Sequence, residues 1–158
     1  MRELLSPPER HSDPGIAPTN LDVFREITNN SGGRLPQTTL IFFRDANGFV
    51  PLVEWLDRLS AAARDSCLER LEQLEANGHE LRRPHAENLG RGVYELRIKH
   101  MGVNYRMLYF FHGRAAVVVT QGFEKQQAAV PDRELLLGLA RKRIFELDPA
   151  THSTRGGN

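Results

Sequence analysis

The 158-residue chain carries a single cysteine, Cys67, so no internal disulfide can staple it and no Cys-rich metal motif can form. A reducing compartment is expected. Long apolar runs are missing too: the longest reach about five or six residues, far short of the roughly 18 needed to span a bilayer. Nothing after Met1 reads as a secretory signal, because prolines and charges begin at Pro7. The expectation is a cytoplasmic protein without membrane association. Net charge is almost absent, with 21 Lys/Arg against 20 Asp/Glu, while 40% hydrophobic and 26% charged residues exclude a disordered polyelectrolyte. The length suits one domain and is too short for two cores with separate sites.

The near-zero balance conceals a segregation. Residues 38–78 carry 4 basic and 7 acidic side chains, whereas residues 79–143 carry 12 basic and 6 acidic ones, a net of +6. A basic second half beside an acidic first half suggests a surface that attracts an anion. Nucleic acid is the first candidate, an acidic protein partner the second, and a mixed solvated surface the third.

Residues 1–37 contain Pro7, Pro8, Pro14, Pro18 and Pro36 and only one short apolar pattern, Leu21 to Ile27, which predicts a disordered N-terminal extension. From residue 38 the pattern changes. Thr39-Leu40-Ile41-Phe42-Phe43 is a β-branched and aromatic run of strand length, stopped by the turn chemistry of Asp45-Ala46-Asn47-Gly48. Pro51 then opens a short helix with Leu52, Trp55, Leu56 and Leu59 on one face. After the N-cap Ser60, a second helix carries Cys67, Leu68, Leu71 and Leu74 on one side until Asn77-Gly78 ends it.

Residues 79–92 lack periodicity and read as a loop. Two alternating strands follow, with Tyr94, Leu96 and Ile98 in the first and Tyr105, Met107, Tyr109 and Phe111 in the second. Ala115 to Val119 is apolar on both faces, the mark of a covered strand. A closing helix starts near Pro131-Asp132 and is expected to bury Leu135, Leu136, Leu139 and Ile144. The fold class is α+β in the order β-α-α-β-β-β-α, a helical hairpin and a C-terminal helix packed on a small, mainly antiparallel sheet. The domain spans residues 38–148, and residues 149–158 are expected to be a disordered tail.

If Met101-Gly102 is a two-residue hairpin turn, Arg97 lies opposite Arg106 and Lys99 opposite Asn104. Arg97, Lys99 and Arg106 then share one sheet face. Directly opposed like charges cost stability, which a bound polyanion would explain, as would pairing with Glu95, Glu124 or Glu134. His100 beside the turn, and His79, His85 and His112 in loops, are common surface features. They form no recognisable metal-ligand spacing, so neither a metal nor another cofactor is expected. Trp55 reads as core, and Phe123 as either core or a base-stacking ring.

The stretch Gly92-Val93-Tyr94-Glu95-Leu96-Arg97, then Tyr105-Arg106-Met107-Leu108-Tyr109-Phe110-Phe111-His112-Gly113 and Gly122-Phe123-Glu124-Lys125, resembles the HigB-like, phage-derived branch of the RelE/ParE toxin superfamily. Phe49-Val50-Pro51 leading into Glu54-Trp55-Leu56, the Gly78-His79-Glu80-Leu81 and Arg83-Pro84-His85 stretches, and Val130-Pro131 extend the likeness over about residues 39–148. The resemblance implies the toxin of a type II toxin–antitoxin pair, a metal-independent endoribonuclease that cuts messenger RNA on the ribosome. Its implied partners are a helix-turn-helix, HigA-like antitoxin, the ribosome and mRNA. Carried over by motif position, Arg97, Arg106, Lys125 and, more weakly, Lys99 are the catalytic candidates. Arg82, Arg83, Arg91, His100 and Phe123 are candidate RNA contacts. Glu95 stands on the same face where some RelE-type toxins carry a lysine. The alternative reading is a ParE-like member, which inhibits DNA gyrase without cutting RNA, or a non-catalytic, partner-binding member of the same fold.

The chemistry suits basic side chains. Cleavage by the RNA's own 2′-hydroxyl needs a base for that hydroxyl, cations for the charge at phosphorus, and an acid for the departing 5′-oxygen. Arginine fills the middle role, because its planar fork matches two phosphate oxygens. Lys99 or Lys125 are candidates for proton transfer.

Overall fold

The computed structural model describes residues 38–155, so the expected N-terminal extension, residues 1–37, lies outside the described residues. The elements run β1 (Thr39–Phe43), α1 (Pro51–Asp57), α2 (Ala61–Asn77), a 3-10 turn (Gly78–Glu80), β2 (Ala86–Gly90), β3 (Val93–His100), β4 (Val103–His112), β5 (Ala116–Glu124), α3 (Asp132–Leu147) and β6 (Ser153–Arg155). The six strands form one sheet in the order β2-β3-β4-β5-β1-β6, antiparallel except where β1 lies beside β5. The fold is α+β, as expected.

The helical hairpin forms where its signals stand. Pro51 occupies the first turn of α1, with Leu52 and Leu56 buried. The Ser60 hydroxyl accepts from the Ala63 amide at 3.2 Å and caps α2, whose Cys67, Leu68, Leu71 and Leu74 are all buried. Burial pushes the Cys67 thiol up to about 12, which leaves it inert as a nucleophile. These two helices cover one face of the sheet, packing on Leu40, Phe42, Leu96, Ile98, Met107, Tyr109, Val117 and Val119. The other face holds Ile41, Phe43, Phe110 and Val118 against Phe145 of α3. With a layer on each side, β1 and β5 are apolar on both faces.

The β3–β4 register is the expected one, with Arg97 opposite Arg106 and Lys99 opposite Asn104. Met101 (φ 50°) and Gly102 (φ 79°) are both left-handed, the conformation that a tight two-residue hairpin requires.

Three expectations are corrected. The stretch 79–92 is not a loop throughout, because Ala86–Gly90 pairs with β3 as an edge strand. Only its first residue is buried, so its sequence shows no alternation and backbone pairing alone defines it. Residues 149–155 are not a tail: Ser153–Arg155 pairs with the outer edge of β1, and His152 stacks on Phe43 at 5.6 Å between centroids. The third concerns α3, where Leu135 and Leu139 pack partly buried on Val93, Leu108 and Phe123 as expected but Leu136 and Ile144 do not turn inward. Leu136 is 61% and Ile144 42% exposed, while Gly138 and Phe145 are buried. The sheet sets this rotation. A Cβ on Gly138 would stand 3.1 Å from Leu108 Cδ1, so the missing side chain is what lets the helix sit close. Gln121 on β5 donates to the Glu134 carbonyl at 2.9 Å and accepts from Arg141 at 3.1 Å, which locks the same stripe inward.

A second glycine holds the opposite layer. The indole of Trp55 lies on the bare backbone of Gly122, where a Cβ would come within 2.1 Å of Cε3, and its ring meets Tyr105 edge-on. Gly122→Ala is therefore expected to destabilise the fold by about 1–3 kcal/mol through overpacking, read as a lower urea midpoint at unchanged slope. Wild-type stability in this variant would show that the Trp55 ring can move aside without loss.

Candidate functional site

Strand alternation places Glu95, Arg97 and Lys99 of β3 on the α3 side of the sheet, with Asn104 and Arg106 of β4 beside them. Register then groups them into rows. Arg97, Arg106 and Phe123 face one another across β3, β4 and β5. The next row holds Lys99 opposite Asn104, with Lys125 joined to Asn104 by a backbone hydrogen bond of 2.8 Å. On the other side, Glu87 of β2 stands opposite Glu95. Arg97, Lys99 and Arg106 thus come from two strands to one face, and Lys125 follows β5 beside Asn104.

Glu95 organises the first of these rows. Its side chain is 1% exposed, and one carboxylate oxygen accepts from Arg97 Nε at 2.8 Å. The other lies 3.5 Å from Arg106 Nε. Neither atom of that second contact makes a hydrogen bond, so the attraction there is ionic. Arg97 also pairs with Glu87, and Glu87 with Arg83. The result is a chain of alternating charge, Arg83–Glu87–Arg97–Glu95–Arg106, running from the sheet edge to its third strand.

Arg106 is 9% exposed and donates through Nη1 to its neighbour's carbonyl, Tyr105 O, at 3.0 Å. Burial draws its guanidinium below the ordinary arginine range, Glu95 opposes that shift, and the neighbouring Arg97 adds to it. Pairing with Glu95, one of the alternatives open from the sequence, is thus what the opposed arginines do. It does not use all their donors. Among the described residues, Arg97 Nη1 and Arg106 Nη2 make no hydrogen bond, nor do the side chains of Lys99 and Lys125.

The candidate RNA contacts scatter. Phe123 lies inside β5, and at 8% exposure its ring packs with Val93 and Leu108, so the core alternative holds. His100 is tied to α2 through its Nδ1, 3.2 Å from Ser66 Oγ. Arg91 sits in the β2–β3 turn with φ 56°, where it borders a hollow beside Leu135, Leu136 and Leu139 of α3. Arg82 and Arg83 are exposed before β2 and line a groove at the sheet edge with His79 and Tyr94. Glu87 was the residue that sequence reasoning missed, because its strand carries no alternation to reveal it. Among the described residues no group of His, Cys, Asp and Glu is arranged to hold a metal ion, and no helix is long and apolar enough to cross a membrane.

Removing the carboxylate should expose its role. Glu95→Ala leaves two half-desolvated arginines facing each other and is expected to cost about 3 kcal/mol in urea unfolding. Adding Arg106→Leu to Glu95→Ala should recover part of that loss, since the uncompensated charge is then gone. Strict additivity of the two substitutions would show that Glu95 and Arg106 do not act as a unit.

A search of curated proteins finds no match to the chain. Residues 54–143, more than half of the sequence and the segment that holds Glu95, Arg97, Arg106 and Lys125, match the family model described as Phage derived protein Gp49-like (DUF891). The chain therefore belongs to this Gp49-like phage-derived family, a RelE/HigB-like family of toxins from toxin–antitoxin systems.

Proposed function

We propose that this toxin is a ribosome-dependent endoribonuclease, an mRNA interferase that cleaves message and so inhibits translation. The observation that carries the reading is the pair of unengaged nitrogens, Arg97 Nη1 and Arg106 Nη2, on one sheet face beside the Lys99–Asn104–Lys125 row. In this reading the RNA's 2′-oxygen attacks the adjacent phosphorus. The 2′-O–P bond forms, the P–O5′ bond breaks, and the products are a 2′,3′-cyclic phosphate and a 5′-hydroxyl. Arg97 and Arg106 hold the non-bridging oxygens as their charge grows.

Glu95 supports this arrangement by occupying the Nε side of both arginines, while Glu87 and the Tyr105 carbonyl take one Nη of each, which leaves Arg97 Nη1 and Arg106 Nη2 to face a phosphate. Lys99 and Lys125 are the proposed proton-transfer groups. One accepts from the 2′-hydroxyl, and the other donates to the departing 5′-oxygen. The toxin's partner is an antitoxin, proposed to be a HigA-like helix-turn-helix protein, and its substrate is mRNA in the ribosomal decoding site.

Added to a reconstituted translation reaction, the wild-type chain is expected to produce message breaks that map by primer extension and need ribosomes. Arg106→Ala should lower the cleavage rate roughly 10²-fold or more. Arg106→Lys keeps the charge next to Glu95 but not the two-point fork, and should fold normally with partial loss of activity. Intact message in the presence of folded wild-type protein would overturn the nuclease reading, and gyrase supercoiling would then be the activity to assay.

A further inference from the structure

At the β2 edge lies a half-open groove of about 550 Å³, whose lining includes His79, Arg82, Arg83, Glu87, Asn88 and Tyr94. We propose that it is a nucleotide subsite, taking one base and one phosphate of single-stranded RNA that passes over the β2 edge from the cleaved linkage. The proposal rests on the nuclease reading for its substrate class and adds to it a place where the flanking nucleotide is held.

The base would meet flat rings already in place. His79, on the 3-10 turn after α2, stacks on Phe111 with centroids 3.6 Å apart and 19° between planes. Tyr94 stacks on Tyr109 at 5.4 Å and 17°, and meets Phe111 edge-on. Phe111 thus links both stacks. His79 is exposed, and among the described residues no second ring covers it, so a base can continue the stack without displacing anything.

The phosphate would meet Arg82. Its side chain is exposed and, among the described residues, makes no ion pair or hydrogen bond, unlike Arg83, which is held by Glu87. The Asn88 carbonyl oxygen is taken by the Gly90 amide at 2.8 Å, which turns its NH₂ group into the available donor for a base edge. Glu87 ties the groove to the proposed scissile centre: it lines the groove and also binds Arg97, which binds Glu95. The ring stack lies on the side of the sheet covered by α1 and α2, and Arg97 and Arg106 on the other, so RNA whose phosphate lies at the arginines reaches the groove by passing over the β2 edge at Glu87. An acidic peptide would use Arg82 but leave the ring stack idle, which makes RNA the better fit to the whole lining.

The test uses the full chain and a fluorescent single-stranded RNA whose 2′-hydroxyls are methylated, so that binding is read without cleavage. Arg82→Ala and His79→Ala are each expected to weaken binding about 5- to 20-fold, the loss of one phosphate contact or one stacked base. Arg82→Ala should also lower the salt slope by about 0.7, and Arg82→Lys should restore it. His79→Phe should restore affinity. Thermal melts of these surface variants should match wild type. If both alanine variants bind like wild type while Arg106→Ala loses affinity, the subsite is overturned and the nuclease reading stands. No RNA binding by the full chain likewise overturns the subsite, while ribosome-dependent cleavage decides the nuclease reading by itself. Polyglutamate binding that needs Arg82 but not His79, with RNA binding unchanged in the variants, overturns it in favour of a peptide.

Discussion

The sheet tolerates two arginines on facing positions because one carboxylate is buried beside them. Glu95 is 1% exposed and touches Arg97 at 2.8 Å and Arg106 at 3.5 Å, so charges that would repel across β3 and β4 share a common counter-ion. That contact also guards the register. A one-residue slip of β3 would carry Glu95 and Arg97 into the aliphatic layer under α1 and α2, and would bring Leu96 and Ile98 out among the arginines.

Neutralisation within the cluster changes what its arginines can contribute. Arg83, Glu87, Arg97, Glu95 and Arg106 comprise three cations and two anions, a net of +1. In the proposed reaction the paired arginines therefore act by geometry, presenting fixed nitrogens to a phosphate, while long-range attraction falls to side chains with no counter-ion among the described residues, such as Lys99, Lys125 and Arg82. A cation held by a buried carboxylate needs little reorganisation as charge grows on a ligand. One that swings in solvent must first be ordered.

Two glycines set how close the flanking layers come. Trp55 rests on Gly122 from one side of the sheet, and α3 approaches Leu108 over Gly138 from the other. The second approach leaves Leu136, Leu137, Ile144 and Leu147 on the outer surface of α3. It also brings Arg141 over the Phe43 ring at 5.7 Å, so a charged side chain joins Leu135, Leu139 and Phe145 on the packing side.

Much of this was legible in the chain. Pro51, Ser60 and Gly78 bound the helical hairpin by local chemistry, and Met101-Gly102 with flanking alternation determined the β3–β4 register and hence the facing arginines. Those are signals of short range, readable because each depends on backbone preference or period within a few residues. What stayed hidden depends on neighbours distant in sequence. β2 and β6 exist by pairing their backbones to strands already formed, and no side-chain pattern announces that. On α3 the leucine pattern held for Leu135 and Leu139 and failed for Leu136 and Ile144, because Gly138 and Gln121 reward close contact and hydrogen bonding more than the outer side chains gain by burial. The sequence by itself determined which side chains share a strand face. Only the tertiary structure decided that Glu87 would join them, which donors Glu95 would occupy, and which would be left to meet a ligand, since those choices arise where separate strands pack together.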